Sequence, residues 1–196
     1  MPNFRKSRFK KIRHCLRIET RHSPHFNRRP TGTRIDTIVI HNITLPPARH
    51  SLDFGHAYVD KLFMGRLISP KACAKHPYFE RLIGARVSAH YFIRRSGRVL
   101  QYVAPHLRAW HAGQSELQTA QGTRNNCNDF SIGIELEGAD EYPFMQAQYR
   151  SLRRLITRLK IQFPIVHIVG HSEIAPGRKT DPGPRFRWSE IEKSTK

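Results

Sequence analysis

The stretch GHSEIAPGRKTDPGP (170–184) restricts what this chain can fold into more than any other segment. Prolines at 176, 182 and 184 remove backbone donors and interrupt both the helical and the strand period, so the segment is expected to be a stiff loop. The apolar run IVHIVG (165–170) precedes it and reads as a buried strand that delivers His171 at its end. A strand followed by a rigid loop carrying Arg178, Lys179 and Asp181 holds side chains in place as well as connecting elements.

A second buried-type run, IDTIVIH (35–41), delivers His41 just before the polar, proline-containing NITLPP. Between positions 52 and 63, Phe54, Tyr58, Val59, Leu62 and Phe63 recur at helical spacing, and Gly65 supplies a stop. VSAHYFIRRSGRVLQYV (87–103) reads as two strands around a Ser96-Gly97 turn. In FSIGIELEG (130–138), Ile132, Ile134 and Leu136 alternate with Gly133, Glu135 and Glu137, which places Glu135 opposite the apolar residues and makes Glu137 its solvent-exposed neighbour. From Met145 to Phe163, Tyr149, Leu152, Ile156, Leu159 and Phe163 form a helical stripe with arginines opposite. Interleaved strands, helices and a hairpin predict an α/β fold: a single domain with a mixed central β-sheet flanked by helices.

The formal charge of +19 is concentrated at the start, where basic residues from Arg5 to Arg34 face Glu19 as their only acid. Residues 1–33 lack periodicity and read as a flexible basic arm, with the domain proper at 34–196. Such charge implies nonspecific anion binding by the arm. No recognised nucleic-acid motif accompanies it, so no dedicated nucleic-acid site is expected. No apolar run reaches the length of a secretory signal or a membrane span. Cys15, Cys73 and Cys127 are far apart and form no Cys-x-x-Cys, which fits a reducing, cytoplasmic setting. The sequence says nothing of the oligomeric state.

With 12 histidines, composition cannot select ligands, but position can. His41 and His171 each follow a hydrophobic strand and can project from one edge of one sheet, with Asp181 on the proline-stiffened loop beside them. Two imidazoles and a carboxylate with a fourth position left open form a catalytic zinc shell. Glu135, an acid on a strand otherwise flanked by Ile134 and Leu136, is the candidate base, and Lys179 the candidate oxyanion stabiliser. The chemistry implied is metal-assisted hydrolysis of an acyl derivative.

The segments IVIHNITLPP, RVSAHYFIRRSGRVLQYV, AWHAG, CNDFSIGIELEG and VGHSEIAPGRKTDPGP together resemble the AmpD family of N-acetylmuramoyl-L-alanine amidases, in the family's order over roughly residues 35–190. The resemblance implies a zinc-dependent amidase of cell-wall recycling that cuts the lactyl-L-alanine bond of (anhydro-)N-acetylmuramyl peptides, with anhydromuropeptides as substrates. At matching positions it implies His41, His171 and Asp181 as Zn2+ ligands, Glu135 as catalytic acid/base and Lys179 as stabiliser of the tetrahedral intermediate. It also assigns substrate contacts to Asn42, Arg86 and Arg178. Where the family pattern has an arginine before CNDF this chain has Asn126, so that one contact to the peptide carboxylates is either missing or supplied by Arg124, and ELQTAQGTRNNC is lengthened, with the groove rim the expected place of change. Trp110 is a stacking or packing residue, and His90 and His111 stand outside the zinc shell.

Two other function classes stay open at this level. One is a non-catalytic peptidoglycan-binding module on the same scaffold, against which the intact set His41, His171, Asp181, Glu135 and Lys179 argues. The other is a basic nucleic-acid-binding protein, suggested by charge alone.

Overall fold

The computed structural model describes residues 16–47, 56–66 and 76–192. Its strands are β1 (Ile18–Thr20), β2 (Phe26–Asn27), β3 (Thr37–Ile43), β4 (Tyr91–Ile93), β5 (Val99–Gln101), β6 (Arg108–Ala109), β7 (Glu116–Thr119), β8 (Gly122–Asn125), β9 (Ser131–Glu137) and β10 (His167–Gly170). Its α-helices are α1 (His56–Phe63), α2 (Gln146–Gln162), α3 (His171–Ile174) and α4 (Ser189–Glu192). Of the helix expected over 52–63, residues 52–55 lie outside the described residues.

Six strands form one sheet in the order β1-β5-β4-β9-β3-β10, antiparallel between β4 and β5 and parallel elsewhere. This is the mixed sheet the sequence predicts. Central parallel strands are covered on both faces, which is why β3 reads as a near-continuous apolar run. Against one face lies α2, whose Tyr149, Leu152, Leu155, Ile156 and Leu159 pack on Ile38, Ile40, Ile132, Ile134 and Leu136. Burying each such aliphatic side chain contributes about 1.5–3 kcal/mol. The buried Gln148 ties the start of α2 to the sheet, donating to the carbonyls of Ile93 (3.2 Å) and Glu137 (3.0 Å). Met145 and Phe163, the expected ends of this helix, are its caps.

The opposite face holds the polar residues, and register decides which of them meet. Phe92 pairs with Glu135, and Glu135 pairs with His41. Registered residues of parallel neighbours point to the same side of the sheet. Gly170 pairs with Ile40, so His171, at the start of α3, emerges beside His41. His41 itself lies within β3 and not at its end.

Two expectations need correction. Glu137 is not solvent-exposed: β9 is buried along its whole length, and Glu137 Oε2 accepts from the Arg95 N–H at 2.8 Å. Alternation reports which face carries the acids, whereas coverage of both faces decides solvent access. The boundary at residue 33 also fails for the described part of the arm. There β1 pairs with β5 in the main sheet and β2 pairs with β6. Arg29 donates to the carbonyls of Pro105, Asn128, Asp129 and Ser131. Short strands and an inward arginine join this segment to the domain without any apolar periodicity. Residues 1–15, with Arg5, Lys6, Arg8, Lys10, Lys11 and Arg13, lie outside the described residues.

Candidate metal centre

His41 Nδ1, His171 Nδ1 and Asp181 Oδ2 form a triangle with sides of 3.0, 3.0 and 3.1 Å. Both histidines are buried, and the three are a group able to hold a metal ion. The loop reaches them by two devices. Ser172 N–H donates to the Asp181 carbonyl at 2.9 Å. Pro182 packs against Gly170 so closely that a Cβ there would lie 2.8 Å from Pro182 Cδ, so only glycine admits the contact.

The donor chemistry fits a cation. His171 Nε2 faces the Ala112 carbonyl at 3.1 Å, and a carbonyl only accepts, so the ring carries its hydrogen on Nε2 and turns a bare lone pair at Nδ1 toward Asp181. Burial pushes the His41 imidazole down to about 4 in spite of Asp181. Two imidazole nitrogens and a carboxylate oxygen thus converge on one point. Two nitrogens and an oxygen at these separations approach the edge of about 3.3 Å of a tetrahedral shell with bonds of about 2.0–2.1 Å, as zinc prefers.

Glu135 stands next to His41 across the register, 7% exposed, with Phe92 on its other side. Its Oε2 has no hydrogen-bond partner. Burial, then repulsion from Asp181, holds its carboxyl well above the usual range, while the Lys179 ammonium pulls the other way. A buried carboxyl with an unspent oxygen is suited to exchanging a proton with a ligand.

His41, Asn42, Glu135, His171, Lys179 and Asp181 line one cavity of about 310 Å³, shared with Trp110 and His111. Asn42 Nδ2 donates to Asp140 at 2.6 Å. Arg86 is exposed and lies outside the lining, as does Arg178. The Arg178 guanidinium donates to the carbonyls of Ala112 (2.8 Å) and Gln114, and so steadies the carbonyl that faces His171. Arg124 is committed elsewhere, bonded to both oxygens of Asp36 at 3.0 Å and stacked over Phe130. Asn126 adopts a left-handed φ of 58°, a conformation asparagine tolerates better than most residues. The lengthened segment forms the β7–β8 hairpin and contributes no residue to the cavity lining.

Several further residues support the site. His111 Nδ1 lies 3.0 Å from His41 Nε2. Asn128 accepts from the His111 and Ala112 N–H groups. Trp110 stacks on His25, and its Nε1–H donates to Asn27 at 2.7 Å, so the N-terminal segment holds the cavity wall. His90 is buried, accepting from Gly133 N–H and facing the Leu107 carbonyl. The AWHAG block hinted at His111; nothing singled out Arg29 among its neighbouring arginines.

An α/β sheet that presents two histidines, an aspartate and a buried glutamate at one edge is the arrangement of a hydrolase site. The N-acetylmuramoyl-L-alanine amidase family matches residues 31–184, and the chain belongs to it as an amidase. Over 185 residues it is 48% identical to the 1,6-anhydro-N-acetylmuramyl-L-alanine amidase AmpD of Haemophilus influenzae, covering 93% of this chain and 92% of that protein. A crystal structure of a selenomethionine AmpD derivative superposes with a TM-score of 0.80 at 44% identity, covering 91% of this chain and 94% of the other. AmpDh3 from Pseudomonas aeruginosa, solved in complex with anhydromuramic pentapeptide, gives a TM-score of 0.60 at 28% identity over 84% of this chain and 61% of its own. Among the described residues no helix is long and apolar enough to cross a membrane.

Proposed function

We propose that this chain is a zinc-dependent amidase that hydrolyses the lactyl-L-alanine amide of (anhydro-)N-acetylmuramyl peptides in cytoplasmic cell-wall recycling. The observation that carries the reading is the convergence of His41, His171 and Asp181 beside a buried glutamate with an unpartnered oxygen. Identity to AmpD and the anhydromuramic pentapeptide bound by AmpDh3 support the substrate class. The free, buried thiol of Cys127 suits a reducing compartment.

His41, His171 and Asp181 would hold the zinc, which when bound supplies Lewis acidity and makes hydroxide available near neutral pH. Glu135 accepts the proton of the attacking water, because its Oε2 has no competing partner. It then returns that proton to the alanine nitrogen, since an amide anion is too basic to depart unprotonated. The Lys179 ammonium, on the cavity wall, stabilises negative charge growing on the lactyl oxygen. Trp110 offers an apolar face to the sugar. Asn42 adds a polar contact to the substrate from the cavity wall, whereas Arg86 and Arg178 act at its margin on anionic peptide groups.

Incubation with an anhydromuropeptide and mass detection of the released peptide tests the reading, together with metal analysis. About one zinc per chain is expected, with activity lost on chelation and restored by zinc. Release of peptide after exhaustive metal removal, or no release from the zinc-loaded chain, sinks it.

A further inference from the structure

A run of hydrogen bonds behind His41 settles where its proton must sit. The Ser131 hydroxyl donates to the Cys127 carbonyl, which can only accept. Its hydrogen is thereby spent, so toward His111 Nε2, 3.2 Å away, the Ser131 oxygen acts as acceptor and His111 carries its hydrogen on Nε2. His111 Nδ1 is then a lone pair. It faces His41 Nε2 at 3.0 Å, so His41 donates from Nε2 and keeps Nδ1 bare, pointing into the triangle with His171 and Asp181.

We infer that His111 is a positioning residue for the metal centre, holding His41 in the tautomer that presents Nδ1 as a ligand, with Ser131 fixing His111 in turn. The inference rests on the metal-centre reading above and adds to it the relay Cys127–Ser131–His111–His41. An outer partner of this kind orients the ring and increases the basicity of the ligating nitrogen. Strand β9 is built to allow it. A Cβ at Gly133 would lie 2.4 Å from His111 Cγ, so the ring fits only over bare backbone. Ser131, Gly133 and Glu135 share one face of that strand by alternation, so a single face supplies the anchor, the space and the acid. The rings of His41 and His111 meet edge to face, with centroids 5.1 Å apart at 82°.

Zinc affinity measured on the full chain by competition with a chromogenic chelator tests the relay. Tight binding of zinc by the unsubstituted protein is the first requirement, and its absence overturns the metal centre itself. Given tight binding, His111→Leu is expected to weaken zinc on the order of 10–100-fold, whereas His111→Asn, whose amide oxygen takes the place of the Nδ1 lone pair, stays within about threefold. A leucine variant with undiminished affinity, or an asparagine variant as weak as leucine, overturns the relay and leaves the metal centre standing. Nitrogen NMR of the unsubstituted protein gives a second readout that does not depend on variants folding. Hydrogen on Nε2 of both His41 and His111 is expected, and hydrogen on His111 Nδ1 rules the relay out.

Discussion

Replacing Arg29 with methionine tests whether the N-terminal segment belongs to the folding unit. From Nη1 the guanidinium donates to Asn128 and Asp129 at 2.8 and 2.7 Å, and from Nη2 to Pro105 and Ser131 at 2.9 and 2.8 Å. Charge-assisted bonds contribute about 1.5–3 kcal/mol each, so four supply about 6 kcal/mol at the low end that suits a half-buried group. Desolvation opposes them. Burial, followed by the charge of Arg108, brings the guanidinium from its ordinary value down to about 10. At about 1.36 kcal/mol per pH unit that difference costs about 3 kcal/mol. The balance is a loss of about 3 kcal/mol on substitution, since methionine fills the space of the stem but leaves the carbonyls without a donor. For a chain of this size the midpoint of thermal unfolding should fall by about 6–12 °C. Urea unfolding of the full chain measures the free energy directly, and thermal unfolding checks it. A variant within about 0.5 kcal/mol of the original, the range of a neutral surface change, refutes the reasoning and returns residues 16–33 to the status of an appended arm.

Glu135→Gln is expected to retain zinc and lose on the order of 10²–10⁴ in turnover, the contribution of a positioned acid/base. Glu137→Gln, on the same strand face but bonded to the Arg95 N–H, should keep its turnover, and equal losses in the two variants contradict the register argument. Lys179→Met should lower kcat and kcat/KM together with zinc content intact; a rise in KM alone would assign it to ground-state binding. His90 provides a pH test: burial, then the charge of Arg29, holds its imidazole down to about 3. The folded protein keeps this ring neutral while the unfolded chain binds a proton below about 6.5, so the contribution is complete above that pH and is lost as pH falls toward 3. From pH 7 to 5 the loss is about 2 kcal/mol. His90→Gln keeps an acceptor for Gly133 N–H and a donor for the Leu107 carbonyl, and unfolding curves at the two pH values should show that part of the dependence removed. Identical dependence in both proteins argues that His90 is not the source.

The strand runs that end near His41 and His171, the amphipathic stripe of α2, the rigid loop bearing Asp181 and the parity that puts Ser131, Gly133 and Glu135 on one face are legible in the residues alone. Each of these follows from local periodicity or from the fixed φ of proline, which act within a few residues. Resemblance to the amidases added the family and the roles expected of single positions. Tertiary structure alone decided the rest. Parallel pairing of β3 with β9 and β10 joins residues some 90 and 130 positions apart in the chain, and it set His41 beside both Glu135 and His171. Coverage of both sheet faces made Glu137 a buried group, against its pattern. Arg29 was indistinguishable from its neighbours in a basic stretch, because nothing in the local sequence records that four carbonyls from two distant segments converge on it. The tautomer of His41 is likewise invisible in sequence, since it depends on where the hydrogen of a serine hydroxyl goes two partners away, and hydrogen bonds of that kind form only between groups that folding brings within about 3 Å.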